Sequence, residues 1–221
     1  MGRPALLFDL DGTLIDSDPL HAQVYRDLFA ARGREIDMAF YLSEVHGRHN
    51  TDVFGAHFPE EDAQALHLAK EAAFRDLLAR HGAAAAAGAA TLIDRAADEG
   101  WGLAVVTNAP RLNAHAMLEA IGLSDRLTTI VVGEECPRGK PDPAPYLHAL
   151  EVLEATAPNA LAFEDSDTGI AAASGAGLRT VGLRSSLDDA ALCAAGAALS
   201  IADFNDTALG PELARLEGEL T

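Results

Sequence analysis

The chain has 221 residues, 49% of them hydrophobic, which is ample for packed interiors without disulfide staples. A formal net charge of −18 argues against nucleic acid or an anionic membrane surface as partner, since both need a basic footprint. The two cysteines, Cys136 and Cys193, give neither a disulfide framework nor metal-ligand spacing, so a reducing, cytoplasmic setting is expected.

Residues 1–4 lead straight into a short apolar run that meets aspartate at once, which reads as neither a signal peptide nor a membrane span. Ala5–Phe8 reads as a buried strand that runs into FDLDGTLID, residues 8–16. A turn accounts for Asp11 and Gly12. It does not account for Asp9, which continues the apolar segment, and two carboxylates that near repel unless a cation or a shared proton relieves them. From about 18 to 82 the signals are helical: Leu20, Val24 and Leu28, then a polar Gly47-Arg48-His49-Asn50, then Leu66, Ala69, Ala73 and Leu77. The alanine run at 83–87 fits a helix or a linker equally.

Beyond it, helices and apolar runs alternate. Helices are predicted at about 89–99, 111–121, 143–154 and 168–175, and strands at 103–107, 129–132, 160–163 and 180–183. A weaker helix at 187–195, a strand near 198–201 and a terminal helix at 206–218 follow. Such alternation predicts an α/β fold, a Rossmann-like doubly wound parallel sheet with helices on both faces. The first strand cannot make a sheet alone, so residues 1–16 and 84–221 are expected to form the core and 17–83 an inserted helical cap.

Ligands of open parallel sheets bind beyond the carboxyl ends of the strands. Those ends carry Asp9 and Asp11 after the first strand, Thr107 and Asn108 after the second, and Glu164, Asp165 and Ser166 after the fourth; the loop after the third holds Lys140. Lys140 and Lys70 are the chain's two lysines, against 14 arginines. Asp9 at a strand end suits a nucleophile that carries a phosphoryl group, and Asp11 a general acid and base. Asp9 and Asp165 offer hard oxygens to Mg²⁺, and Glu164 a hold on a metal-bound water. Thr107, with Asn108 beside it, and Lys140 supply phosphate-binding donors, and Lys140 is expected to screen Asp9 from Asp165.

Together Asp9-Leu10-Asp11-Gly12-Thr13, Thr107-Asn108, Lys140-Pro141 and Glu164-Asp165-Ser166 resemble the four motifs of the haloacid dehalogenase superfamily. The branch they resemble contains β-phosphoglucomutase and phosphoglycolate phosphatase, and the likeness spans residues 5 to about 185. It implies a four-helix cap, Mg²⁺, an Asp9 phosphoenzyme, and metal ligation by the backbone carbonyl of Asp11. In the cap, His21 falls on or beside an apolar stripe, and Lys70 is four residues from both Leu66 and Phe74, where it either reaches out to water or faces the substrate. The resemblance aligns His21 and Lys70 with cap residues that couple closure to acid/base chemistry and hold substrate. Arg48 lies near, but out of register with, the arginine that a mutase uses for a distal phosphate, and this favours hydrolysis.

The expected function is therefore Mg²⁺-dependent hydrolysis of a small phosphorylated metabolite, such as a sugar phosphate, by a protein expected to be monomeric. The alternatives are a β-phosphoglucomutase-like mutase and a non-catalytic metabolite-binding protein of the same fold. Dehalogenation is disfavoured, because it needs neither Asp11 nor the metal set. Trp101 reads as packing beside the second strand, Gly169 as a close-packing glycine, Cys136 as incidental, and Asp188-Asp189 and the acidic cluster at 203–206 as solvated faces.

Overall fold

The computed structural model describes residues 3–218. Its strands are β1 (Ala5–Phe8), β2 (Gly102–Thr107), β3 (Ile130–Val132), β4 (Ala160–Glu164), β5 (Arg179–Leu183) and β6 (Leu199–Ile201). Helices α1 (Asp18–Ala30), α2 (Met38–Phe40), α3 (Asn50–His57) and α4 (Ala63–His81) lie between β1 and β2 in the chain. Then come α5 (Ala89–Asp98), α6 (Arg111–Ala120), α7 (Ala144–Val152), α8 (Asp167–Gly175), α9 (Asp189–Ala195) and α10 (Gly210–Glu217). The chain divides into two compact units, one of residues up to Asp16 together with those from Ala83 onward, the other Ser17–Gly82.

The first unit is a Rossmann-like α/β domain. Its six strands are parallel, in the order β3-β2-β1-β4-β5-β6. Ala5 to Phe8 pair with Gly102 to Val105 on one side and with Ala160 to Phe163 on the other. Both faces of this central strand are also covered, so Ala-Leu-Leu-Phe is apolar and buried at every position instead of alternating. Alternation instead selects the face. Ala5, Leu7, Ala104, Val106, Ala160 and Ala162 pack with Tyr146, Ala149 and Leu150 of α7 and with Ala172 and Ala173 of α8. The intervening residues point the other way, where Phe8 stacks on Phe163 with ring centroids 5.0 Å apart and Phe204 lies against both.

The second unit holds a core of its own, built on Tyr25 and Phe29 of α1, Tyr41, Val45, Val53, Phe54, Phe58 and Leu66. Asp62 caps α4 by accepting from the backbone of Gln64 and Ala65, which satisfies donors that the helix start would otherwise leave unpaired. After α2 the backbone widens into a π-turn over Tyr41–Val45, which no residue spacing foretold.

Several sequence expectations shift in detail. Residues 83–87 form no helix; Ala86 N–H instead donates to Leu14 O at 2.8 Å, and Ile15 bridges Ala85. The terminal helix begins at Gly210, behind a 3-10 turn over Thr207–Leu209, because Pro211 has no N–H to donate and is tolerated only in a first turn. Asp188 and Asp189 are exposed and Asp203 and Asp206 half-buried, and three of these acids also do local work. Asp188 caps α9, Asp206 caps the 3-10 turn, and Asp203 accepts from the backbone of Asn205. Trp101 is buried at the entry to β2. Among the described residues no helix is long and apolar enough to cross a membrane.

Candidate active site

The sheet ladder runs one residue past β1, because Asp9 N–H donates to Phe163 O at 2.9 Å. Asp9 is thus fixed by backbone pairing before any side chain touches it. The chain then turns at Gly12, whose φ of +77° and whose missing Cβ are both required: a Cβ there would overlap the carboxylate of Asp165. Gly169, at the start of α8, makes the same concession to Glu164.

Lys140 is buried, and its ammonium donates to Asp9 Oδ1 at 2.5 Å and to Glu164 Oε1 at 2.6 Å. Tyr146, fully buried on α7, donates its hydroxyl to the same Glu164 oxygen at 2.5 Å. Glu164 Oε2 is buried without a hydrogen-bond partner. Asp165 instead accepts from Ser186 Oγ at 2.8 Å and Ser185 Oγ at 3.2 Å, both at Oδ2. This corrects one expectation. Lys140 bridges Asp9 and Glu164, and the groups hydrogen-bonded to Asp165 are the two serines.

Thr107 is buried at the end of β2, where its hydroxyl accepts from Ala109 N–H at 3.0 Å. The Asn108 side chain is occupied by the loop after β3, since its Oδ1 accepts from Lys140 N–H and its Nδ2 donates to Lys140 O, each at 3.1 Å. That reciprocal pair sets the backbone from which the Lys140 side chain departs. Asp11 is half-buried and adds negative charge beside Asp9.

The cluster is short of positive charge. If Asp9, Glu164, Asp165 and Lys140 are all ionised, three carboxylates face one ammonium and two negative charges stay unmatched. Burial accordingly pushes Glu164 up to about 8, with the Asp9 charge adding to it against the pull of Lys140. Burial and then the Asp9 charge push Asp165 up to about 7, and burial also raises Asp9. One oxygen from each of Asp9, Glu164 and Asp165 lies within 4.8 Å of the others. An all-oxygen set with two unmatched charges and an orphaned carboxylate oxygen fits a hard divalent cation.

The remaining expected residues belong to the helical unit. His21 stacks on Phe74 with centroids 4.1 Å apart, and Lys70 Nζ lies 2.9 Å from His21 Nδ1 and 3.1 Å from Glu71 Oε1. Lys70 is buried and does not reach out to water. Asn50 Nδ2 donates to Glu71 Oε1 at 2.5 Å and lies 3.0 Å from His67 Nδ1, while Tyr25 donates to Asn50 Oδ1 at 2.6 Å. Arg48 donates to the backbone oxygen of Glu44 at 3.0 Å, with the Glu44 carboxylate at 3.5 Å. Sequence reasoning passed over Tyr146, Ser185 and Ser186 in one unit and Tyr25, His67 and Glu71 in the other. Only the serines carried a signal, as hydroxyls just beyond the carboxyl end of a core strand.

The haloacid dehalogenase-like hydrolase family model matches residues 6–183. The chain belongs to this family. It is a hydrolase of the phosphoric monoester class, and phosphoglycolate phosphatases are among its relatives. It is 34% identical to the protein CbbY of Rhodobacter capsulatus, over 82% of this chain and 85% of that one. It is 32% identical to validoxylamine A 7'-phosphate phosphatase of Streptomyces hygroscopicus subsp. limoneus, over 86% and 89%. Among solved structures it superimposes with a TM-score of 0.79 on a mutant CbbY of Rhodobacter sphaeroides in complex with xylulose-1,5-bisphosphate, at 28% identity over 92% of this chain and 96% of that one.

Proposed function

We propose that this haloacid dehalogenase-like hydrolase removes phosphate from small phosphorylated sugars, using Mg²⁺ and a covalent phosphoryl group on Asp9. The observation that carries the reading is the charge imbalance at the carboxyl end of the sheet, where Asp9, Glu164 and Asp165 are buried around one ammonium. Asp9, Asp165 and the backbone carbonyl of Asp11 would hold the cation, with Glu164 behind a bound water. Bound there, Mg²⁺ supplies positive charge against the phosphoryl oxygens.

The rest is the work of the chain's own groups. Asp9 is held by the ladder and by Lys140, so it meets phosphorus without further ordering. Its carboxylate oxygen forms a bond to phosphorus as the ester P–O bond breaks, and Asp11 gives the departing oxygen its proton. Asp11 then takes a proton from water, which attacks the aspartyl phosphate, frees inorganic phosphate and restores Asp9. Lys140 and the Thr107 hydroxyl donate to the phosphoryl oxygens, where charge accumulates in the transition state.

The sugar portion of the substrate is read from the relatives, one of Thermotoga maritima named a phosphorylated carbohydrates phosphatase and one solved with xylulose-1,5-bisphosphate. The helical unit, Ser17–Gly82, is the proposed cap, and His21, Lys70 and Arg48 are its proposed substrate contacts. The test is phosphate release from a panel of sugar phosphates, phosphoglycolate and nucleotide monophosphates, in Mg²⁺ or EDTA, by wild type and Asp9→Asn. Release that needs Mg²⁺ and disappears in Asp9→Asn is the expected result. Metal-independent release, or release that survives in Asp9→Asn, overturns the reading. Isomerisation of a sugar phosphate with a bisphosphate primer and no net release would favour a mutase.

A further inference from the structure

Asp165 differs from the other two acids of the cluster in what holds it. Asp9 and Glu164 share an ammonium, whereas the hydrogen-bond donors on Asp165 are the hydroxyls of Ser185 and Ser186. Both serines are exposed residues of the turn that follows β5, yet both reach a buried carboxylate, and both choose the same oxygen, Oδ2. Gly12 lies against that same oxygen, so close that a Cβ there would overlap it. The group is thereby confined in rotation, and Oδ1 is the oxygen left to a cation.

We propose that Ser185 and Ser186 are positioning residues for the divalent cation: through Asp165 they set the affinity of the site for Mg²⁺. The inference rests on the metal reading above and extends it to residues that touch neither cation nor substrate. The physical reason is that a carboxylate free to turn loses ordering entropy when it binds a metal, while one already fixed by two donors does not. Groups that orient a ligand in this way are worth about 10- to 100-fold in metal affinity. Two donors on Oδ2 also withdraw charge from that oxygen, so it competes less with Oδ1 for the cation.

The experiment is calorimetric titration of metal-stripped protein with MgCl₂, in wild type, the double variant Ser185→Ala with Ser186→Ala, Ser186→Thr and Asp165→Asn, each checked by thermal melting in EDTA. Because both serines are exposed, their loss should leave the melting temperature of the stripped protein almost unchanged. The double variant should bind Mg²⁺ about tenfold or more weakly, Ser186→Thr close to wild type, and Asp165→Asn not at all. If the double variant binds as tightly as wild type while Asp165→Asn loses Mg²⁺, the serines are incidental and the metal site stands. A lower melting temperature with unaltered affinity overturns the inference in the same way. If wild type takes up no Mg²⁺, the metal reading falls and the inference falls with it.

Discussion

Each unit buries one of the chain's two lysines, and the surroundings of the two could hardly differ more. In the helical unit Lys70 faces one carboxylate, Glu71, inside a ring of neutral or titratable partners from His21, Asn50 and Tyr25. One charge meets one charge, and every group has a donor or acceptor opposite it. In the α/β unit Lys140 faces Asp9 and Glu164 with Asp165 close behind, so negative charge outruns positive and a carboxylate oxygen is orphaned. A matched buried pair is self-sufficient. An unmatched one holds repulsion that a cation relieves, and this is why the metal reading belongs to the Lys140 cluster and not to the Lys70 pair.

Replacing Lys140 by Met should have the largest effect, since it removes the single cation from three acids. Phosphate release in saturating Mg²⁺ is expected to fall by about 10²- to 10³-fold, and the melting temperature in EDTA to drop as well. Turnover within a few-fold of wild type would show that Lys140 is no more than a packing group. At the matched site the corresponding test is structural. Glu71→Gln leaves Lys70 buried without its counter-charge and should cost about 3–5 kcal/mol in urea unfolding. Adding Lys70→Met should recover much of that loss, and a double variant as unstable as the single one would contradict the matched-pair account.

Asn108→Ala tests the backbone support of Lys140. Loss of two hydrogen bonds should cost about 1–3 kcal/mol, and kcat should fall about tenfold because a displaced ammonium misaligns Asp9. A change in KM alone would instead make Asn108 a substrate contact. The last comparison is in pH. Glu164 at about 8 and Asp165 at about 7 lie above the ordinary carboxylate range, so the folded chain binds more protons than the unfolded one between those limits. Stability in EDTA should therefore be full below the ordinary carboxylate range and fall as pH rises through about 7 and 8. Excess Mg²⁺ should flatten that decline in thermal melts, and a melting temperature that rises with pH in EDTA would refute it.

Much of this was written in order along the chain. An unbroken Ala-Leu-Leu-Phe announces a central parallel strand, because such a strand has no face left for water. The aspartates that follow, with Thr107, Lys140 and Glu164-Asp165, announce the edge at which groups converge, because strand ends in a parallel sheet share one side. The helical insertion was legible from apolar spacing, and the motifs gave the family.

What stayed hidden is pairing. Lys140 is 131 residues from Asp9 and 24 from Glu164, and nothing in the sequence says that it would sit between those two and not against Asp165. Tyr146 looks like any core aromatic of α7 until its hydroxyl is found on Glu164, and Ser185 and Ser186 look like turn residues until β5 brings them over Asp165. Glu71 reads as one more charge on a long helix, while Asn50, far off in the chain, turns out to be its partner. Periodicity and residue type are local properties, so the sequence determines which elements form and which edge carries the chemistry. The balance of charge at a point depends on side chains that only packing brings within 3 Å, so tertiary structure alone decided which of two buried lysines would face an excess of acid.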